Sequence, residues 1–151
     1  MDGQGERLAM ADQPLGTRSC SIAAALDVLG ERWALLAIRE MNYGVHRFAR
    51  IAGYTGAPRN ILVDRLRKLE DSGIIERRQY SDHPPRFEYH LTEAGHEVLP
   101  VIQALAEWGD SWAVEGPAAQ LRHHCGHKLQ VDQTCHHCGA PVNAASSTSF
   151  P

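Results

Sequence analysis

Apolar residues recur at helical spacing through the first half of the chain. The pattern predicts four helices, at about residues 20–29, 33–42, 48–51 and 57–72. Gly30 and Gly73 follow the first and fourth helices, where glycine commonly ends a helix. Residues 53–56 are predicted to form a turn, and Pro58 suits the first position of the fourth helix.

The second half of the chain changes to strand patterns. Residues 74–80 and 86–91 predict two short strands, and the turn-rich residues 81–85 predict the tip between them. A helix start follows at residues 92–95, with one long helix from Val98 to about Gly116. The order of helices, then a hairpin, then a helix predicts a mainly α fold with a small β-hairpin (α+β). It contains three helices followed directly by a β-hairpin, which is the winged helix-turn-helix arrangement.

The 151 residues are enough for one domain and a small appendage. We expect a flexible arm at 1–17, a winged-helix body at 18–116 with its own core from Ile22 to Trp112, a separate segment at 117–143 and a disordered tail at 144–151. Because the chain has no long apolar run and no secretory signal, we expect a cytoplasmic protein without membrane contact.

Charge is unevenly distributed along the chain. The net charge is −3, but residues 39–68 contain seven basic and two acidic residues, a net of +5, which leaves −8 for the remainder. One face can therefore be basic on an acidic protein, although a scatter of solvated charges would give the same counts.

The fourth predicted helix separates apolar from polar residues. A step of 100° per residue puts Leu62, Leu66 and Leu69 on one stripe, with Asn60, Val63 and Arg67 facing outward. Arginine and asparagine make bidentate contacts with guanine and adenine, although any solvated helix would expose them too. The preceding short helix and the following basic hairpin favour DNA binding. The candidate DNA-binding residues are Arg47, Arg59, Asn60, Val63, Arg67, Arg77, Arg78 and Arg86.

Several blocks, taken in order, resemble the HxlR-type family of bacterial winged-helix transcription regulators. They are Cys20 before Leu26–Trp33, then His46–Phe48, Leu66–Gly73, Pro85–Tyr89, Leu91–Gly95, and finally Pro100 and Trp108. The resemblance implies a homodimer formed by the first and last long helices, with two recognition helices that read a palindromic operator. Pro58 and the cysteine-rich tail depart from the family pattern, and neither affects the expected fold.

Cys20 has two interpretations. In several members of the family a cysteine at this position senses oxidants or electrophiles, and a helix N-terminus activates a thiol. Cys20 lies at the predicted start of the first helix, with Arg18 close by in sequence. The alternative is a small residue packed in the dimer interface.

The segment at 117–143 resembles a zinc ribbon. Cys135 and Cys138 form a Cys-x-x-Cys-Gly knuckle, and Cys125 precedes a second glycine. A histidine completes the tetrahedron, with His123 preferred to His127. We therefore expect one structural zinc per chain, bound by His123, Cys125, Cys135 and Cys138. The alternative is a disordered, reducible tail that acquires metal opportunistically.

These features together predict a sequence-specific transcription regulator, acting as a repressor rather than as an enzyme. Release from double-stranded DNA would follow modification of Cys20 or binding of a small ligand between the helices. Two other classes are weighed against this one: an adaptor whose zinc ribbon contacts a protein, and a small enzyme that depends on a metal or a thiol.

Overall fold

A computed structural model of the protein describes residues 20–116 and 120–146. The predicted arm at 1–17 lies outside the described residues, as do residues 147–151 of the predicted C-terminal tail. The described elements are α1 (Ser21–Leu29), α2 (Arg32–Asn42), α3 (Phe48–Thr55), α4 (Arg59–Asp71), β1 (Ile75–Asp82), β2 (Pro85–Leu91), α5 (Glu93–His96) and α6 (Leu99–Trp112). This order confirms the predicted winged helix-turn-helix.

The core forms where α2 packs against α3 and α4. Ala37 and Ile38 of α2 are fully buried, and so are Leu62, Leu66 and Leu69 of α4, which confirms the predicted apolar stripe. Full burial of a leucine or isoleucine side chain stabilises a fold by about 1.5–3 kcal/mol. These contacts fix α4 on α2 and so determine which side of α4 faces solvent.

The connection between α3 and α4 differs from the prediction. Residues 53–55, predicted as a turn, continue α3, and the left-handed Gly56 (φ 73°) ends it. The Thr55 hydroxyl donates to the Ile51 carbonyl at 2.7 Å and accepts from the Ala57 amide at 3.2 Å, which stabilises this end. Pro58 precedes the helix rather than starting it, because its ψ of 133° is extended.

The hairpin is anchored at one end and exposed at the other. Ile75 pairs with Leu91 at its buried base, and the antiparallel register continues outward with an irregularity between Gln79 and Ser81. The turn is shorter than predicted, because the strands extend to Asp82 and from Pro85. The wing, as we call residues 75–91, therefore projects from the core beside α4.

Thr92 joins the base of the wing to α5. Its side chain accepts from the Gly95 amide at 3.2 Å as a helix N-cap and donates to the Gly73 carbonyl at 2.6 Å. A side chain at Gly95 would collide with the Ile74 carbonyl, so glycine is required at this position. The predicted start of one long helix is in fact the separate α5, and α6 begins only at Leu99.

The first and last long helices contribute little to the core. No residue of α1 or α6 is buried, and the core extends from Ala34 to Val98 rather than from Ile22 to Trp112 as predicted. Ile22 is 70% exposed, Trp108 62% and Trp112 78%. An apolar surface on α1 and α6 is thus left without a partner within the described residues of one chain.

Residues 120–146, which we call the tail, form two small hairpins, each closed by one isolated β-bridge, Arg122 with Lys128 in the first and Thr134 with Pro141 in the second. The tail lies against α6, where Lys128 Nζ is 3.4 Å from Asp110 Oδ2 and Leu121 and Leu129 line a shared crevice. Among the described residues, no helix is long and apolar enough to span a membrane.

Candidate nucleic-acid interface

The solvent side of α4 carries the predicted reading residues. Asn60, Val63 and Arg67 are all exposed, with Val63 at 46%, while the leucines of the same helix are buried on the opposite side. Asn60 and Val63 lie in the N-terminal half of α4, the part of a recognition helix that usually contacts base edges. The exposed Asp64 lies among them and adds one negative charge to an otherwise basic surface.

Two arginines near the start of α3 and α4 stack on aromatic rings. The guanidinium of Arg59 lies 4.9 Å from the centre of the Phe48 ring, and that of Arg47 lies 4.6 Å from the centre of the Tyr80 ring. Such stacking restricts an arginine side chain and leaves its N–H groups able to donate. Arg47 thereby connects the N-terminus of α3 with the wing.

Two arginines of β1 are paired with glutamates. Arg77 Nε donates to Glu70 Oε1 at 2.9 Å, and this hydrogen bond raises the pKa of the Arg77 guanidinium. Arg77 also lies 5.2 Å from the centre of the Phe87 ring. Arg78 Nε donates to Glu76 Oε1 at 2.7 Å. Both arginines are exposed, so a phosphate could replace either carboxylate.

Glu88, at the middle of the wing, contacts the side chains of an arginine and a histidine. Arg47 Nε donates to its Oε1 at 3.3 Å, and His90 Nε2 lies 3.3 Å from its Oε2. Partial burial pushes the pKa of Glu88 upward, but the contacts with His90 and Arg47 outweigh it and the pKa lies below its usual range. Glu88 was not among the site residues predicted from the sequence, and the alternation of β2 gives no signal for its contact with Arg47, which is 41 residues away along the chain.

A histidine pair also ties the wing to the loop before α3. The rings of His46 and His90 stack with centres 4.0 Å apart, and His46 Nδ1 lies 2.9 Å from the Tyr89 carbonyl oxygen. The Tyr89 amide in turn donates to the His46 carbonyl at 2.8 Å. The wing is thereby held in a defined position relative to α3 and α4.

The arginines of this surface fall into two classes. Arg47, Arg77 and Arg78 have carboxylate partners, whereas Arg59, Arg67 and Arg86 form no ion pair with another residue of the described ranges. Solvent screens exposed ion pairs and they contribute little to stability, so exchanging a carboxylate for a phosphate costs little. On this surface three arginines are therefore paired with glutamates, and three form no ion pair within the described ranges.

Cys20 is exposed at the start of α1. It is the N-cap residue, with extended backbone (φ −142°), and its carbonyl accepts from the Ala24 amide at 3.1 Å. This position matches the expectation that Cys20 begins the first helix. Arg18, expected close by, lies outside the described residues.

The predicted metal ligands fall into two pairs of side chains. Cys125 Sγ lies 3.7 Å from His127 Nδ1. The backbone amides of Cys138 and His137 donate to the Cys135 thiol, and these bonds, with a contact from the Cys138 side chain, lower its pKa. In residues 20–116 and 120–146, no three His, Cys, Asp or Glu side chains are grouped closely enough to hold a metal. The structure therefore places the competing His127, not the preferred His123, beside the Cys125 thiol, and it does not bring this pair together with Cys135 and Cys138.

Comparisons with known proteins find helix-turn-helix transcription regulators. A family model described as HxlR-like helix-turn-helix matches residues 28–116. An uncharacterized HTH-type transcriptional regulator of Mycobacterium tuberculosis is 43% identical over 134 residues, which cover 87% of this chain and 85% of that protein.

Two solved structures of regulators are similar to this chain. PA1607, assigned as a transcription factor, superposes with a TM-score of 0.78 at 26% identity, over 89% of this chain and 96% of that one. The redox regulator HypR in its reduced form superposes with a TM-score of 0.57 at 33% identity, over 61% of this chain and 92% of HypR.

Proposed function

The chain belongs to the HxlR-like helix-turn-helix family and is a transcription regulator, and from this premise we propose that it is a repressor that binds a palindromic operator in double-stranded DNA as a homodimer. The exposed face of α4, with Asn60, Val63 and Arg67 beside the basic wing, carries this proposal. Bound at a promoter, the dimer occludes it. Binding rather than catalysis is the proposed activity, in the cytoplasm.

Base recognition is assigned to α4 in the major groove. Arg67 donates to a guanine and Asn60 pairs with an adenine, the bidentate contacts that these side chains make with base edges. Val63, between them on the helix face, contacts a thymine methyl group. Arg59, held over Phe48 at the start of α4, contacts the backbone beside the groove.

The wing supplies phosphate contacts. Arg86 has no carboxylate partner among the described residues, and Arg77 and Arg78 exchange their glutamates for phosphates. Arg47, stacked on Tyr80, does the same from the start of α3. Such contacts provide affinity and register without sequence preference, and they make binding strongly dependent on salt.

Dimerisation is assigned to the apolar surface of α1 and α6. Ile22, Leu26, Leu105, Trp108 and Trp112 are more than half exposed, and exposed apolar side chains of this size and number mark an interface. Asp110, which contacts the tail, is two residues from Trp108 and so lies about 160° around α6 from it. The tail therefore leaves the proposed interface open.

Regulation is assigned to Cys20. Its thiol is exposed next to the proposed dimer interface on α1, so oxidation there would change how the two chains pack. The likeness to the redox regulator HypR supports this role. A small ligand bound between the helices is the alternative signal.

The experiment that tests DNA recognition compares variants on a panel of mutated operators. Arg67→Ala and Asn60→Ala should relax base preference, with about 1–3 kcal/mol lost for each bidentate contact. Arg86→Ala should weaken binding to all sequences about equally. Arg122→Ala removes an exposed arginine from the tail and serves as the control. Unchanged base preference in both α4 variants would refute the assigned face.

The homodimer is tested by light scattering at micromolar concentration. Trp108→Glu places a charge in the proposed interface and should yield monomers that bind the operator weakly. Val131→Glu makes the same type of change at an exposed apolar residue of the tail and should remain dimeric. A monomeric wild-type protein, unchanged on adding DNA, would reject the proposal.

Cys20 is tested by oxidant titration of DNA binding. Oxidant should release wild-type protein from DNA, whereas Cys20→Ser should bind and ignore oxidant. Both proteins keep the tail cysteines, whose own oxidation could otherwise confuse the comparison. Equal release of the two proteins would remove Cys20 from the mechanism.

A further inference from the structure

The two hairpins of the tail have similar hydrogen-bond patterns, with one residue fewer between the bonded residues in the first hairpin. In the second hairpin the Cys135 amide donates to Ala140 O at 2.8 Å, and the Gly139 amide donates to Cys135 O at 2.7 Å. In the first hairpin the His123 amide donates to His127 O at 3.0 Å, and the Gly126 amide donates to His123 O at 2.9 Å. His123, Cys125 and Gly126 therefore occupy the places of Cys135, Cys138 and Gly139.

Both hairpins turn at a left-handed glycine that directly follows a cysteine. Gly126 has φ 88° and Gly139 has φ 70°, conformations that other residues rarely adopt. The turn directs backbone amides toward one side chain in each hairpin, that of Cys135 in the second and that of His123 in the first. The amides of His137 and Cys138 reach the Cys135 thiol, and the Cys125 amide lies 3.4 Å from His123 Nδ1. The ring nitrogen of His123 thus has the same place in the first hairpin as the Cys135 thiol has in the second.

Apolar packing does not account for the order of the tail. Within residues 120–146 no side chain is buried, and Leu121, Leu129 and Cys135 are the half-buried ones. So little buried surface cannot offset the conformational entropy of ordering two hairpins. A bound metal can supply the missing stabilisation, because its binding free energy becomes folding free energy.

We propose that His123, Cys125, Cys135 and Cys138 bind one structural Zn²⁺ per chain, which joins the two hairpins. Two thiolates from one hairpin and a thiolate and an imidazole from the other complete a tetrahedral site. Zinc bound in such a site lies about 2.3 Å from each sulfur atom and about 2.0–2.1 Å from the nitrogen atom. The three thiols release their protons as they bind.

The hydrogen bond of His123 is compatible with this role. The ring tautomer that accepts from the Cys125 amide has its lone pair on Nδ1, and the same lone pair binds the metal. At 3.4 Å that hydrogen bond is long and readily replaced. His127, with Nδ1 3.7 Å from Cys125 Sγ, is the competing ligand, but it corresponds in register to Ala140 rather than to a ligand.

Elemental analysis of the full chain, purified without chelator, tests the site directly. We expect one zinc per chain in the wild type and less than a tenth of that in Cys125→Ser, Cys135→Ser, Cys138→Ser and His123→Ala. His124→Ala and His136→Ala are matched controls, since they remove neighbouring histidines, and both should retain the metal. Cobalt substitution gives a second measure, because thiolate-to-cobalt charge-transfer bands should weaken with each cysteine removed.

A folding measurement complements the stoichiometry. Chelation should collapse the amide NMR dispersion of residues 120–146 and leave that of residues 31–98 unchanged. Wild-type protein without zinc, or cysteine variants that retain it, would overturn the proposed site. Loss of zinc in His127→Ala together with its retention in His123→Ala would overturn the assignment of the fourth ligand.

Discussion

The core region at residues 31–98 and the tail at 120–146 differ in what holds their backbone in place. In the core region Ile38, Ile51 and Leu66 belong to one continuous buried apolar cluster. In the described tail no side chain is buried, and paired backbone hydrogen bonds define each hairpin. Hydrophobic burial makes the first region a cooperative unit, whereas order in the second would depend on the proposed zinc.

The wing combines both kinds of stabilisation. Its base, at Ile75 and Leu91, belongs to the buried cluster, while its outer half is exposed. The outer half is positioned by polar and stacking contacts, such as Arg47 with Glu88 and His46 with His90. Every proposed DNA-binding residue lies in the core region, which includes the wing. Recognition should therefore be insensitive to the tail.

The largest expected effect comes from a truncation in the buried cluster. Leu66→Ala removes a side chain that is 1% exposed, and we expect a loss of about 2–5 kcal/mol in the free energy of unfolding. Leu129→Ala makes the same change in the half-buried part of the tail and should leave the unfolding midpoint of the core region unchanged. Urea denaturation followed by circular dichroism measures both. Equal losses in the two variants would contradict the contrast between the regions.

A smaller effect is expected from removing the tail altogether. Truncation after Glu115 deletes the ion pair between Lys128 and Asp110, and exposed pairs of this kind contribute about 0–1 kcal/mol. The free energy of unfolding of the core region should therefore fall by no more than about 1 kcal/mol. Operator affinity, measured by fluorescence anisotropy, should remain within about threefold, since a tenfold change needs about 1.4 kcal/mol.

Abolished DNA binding in the truncated protein would show that the two regions are coupled. The full chain treated with chelator is the matched control, because it retains every residue while losing the proposed metal. If truncation weakens binding and chelation does not, the contacts of the tail with α6 would be responsible rather than the metal.

Local periodicity predicted the order of the elements because each element has a strong local signal. Leu62, Leu66 and Leu69 recur at helical spacing, and their burial follows directly from that spacing. The outward position of Asn60, Val63 and Arg67 follows from the same geometry. Boundaries were less predictable: Thr55 extends α3 through a side-chain hydrogen bond that periodicity does not encode.

Contacts between distant parts of the chain could not be predicted from local pattern. The core was predicted to begin at Ile22 of α1, yet Ile22 is 70% exposed, because periodicity identifies an apolar face and not its partner. The pairing of Arg77 with Glu70 depends on how the wing lies against α4. Long-range polar contacts of this kind require the assembled structure.

The smallest expected effect concerns the outer wing and its dependence on pH. Because its contacts with His90 and Arg47 outweigh partial burial, the pKa of Glu88 in the fold lies below its usual value of about 4.5. Above that usual value the carboxylate is ionised in both folded and unfolded chains, and its stabilising contribution is fully present. The contribution is lost as the pH falls through the lowered folded pKa.

Glu88→Gln removes this contribution, so the wild type should be slightly more stable than the variant at pH 7, and the difference should vanish at acid pH. Urea midpoints measured from pH 7 to pH 3 on chains truncated after Glu115 test this without interference from the tail. Amide exchange of the outer wing should accelerate in the variant at pH 7, while exchange in α2 stays unchanged, since Ile38 and its neighbours are held by burial. A difference that grows toward acid pH would show that Glu88 destabilises the fold when ionised, and the outer wing would then be held by stacking rather than by charge.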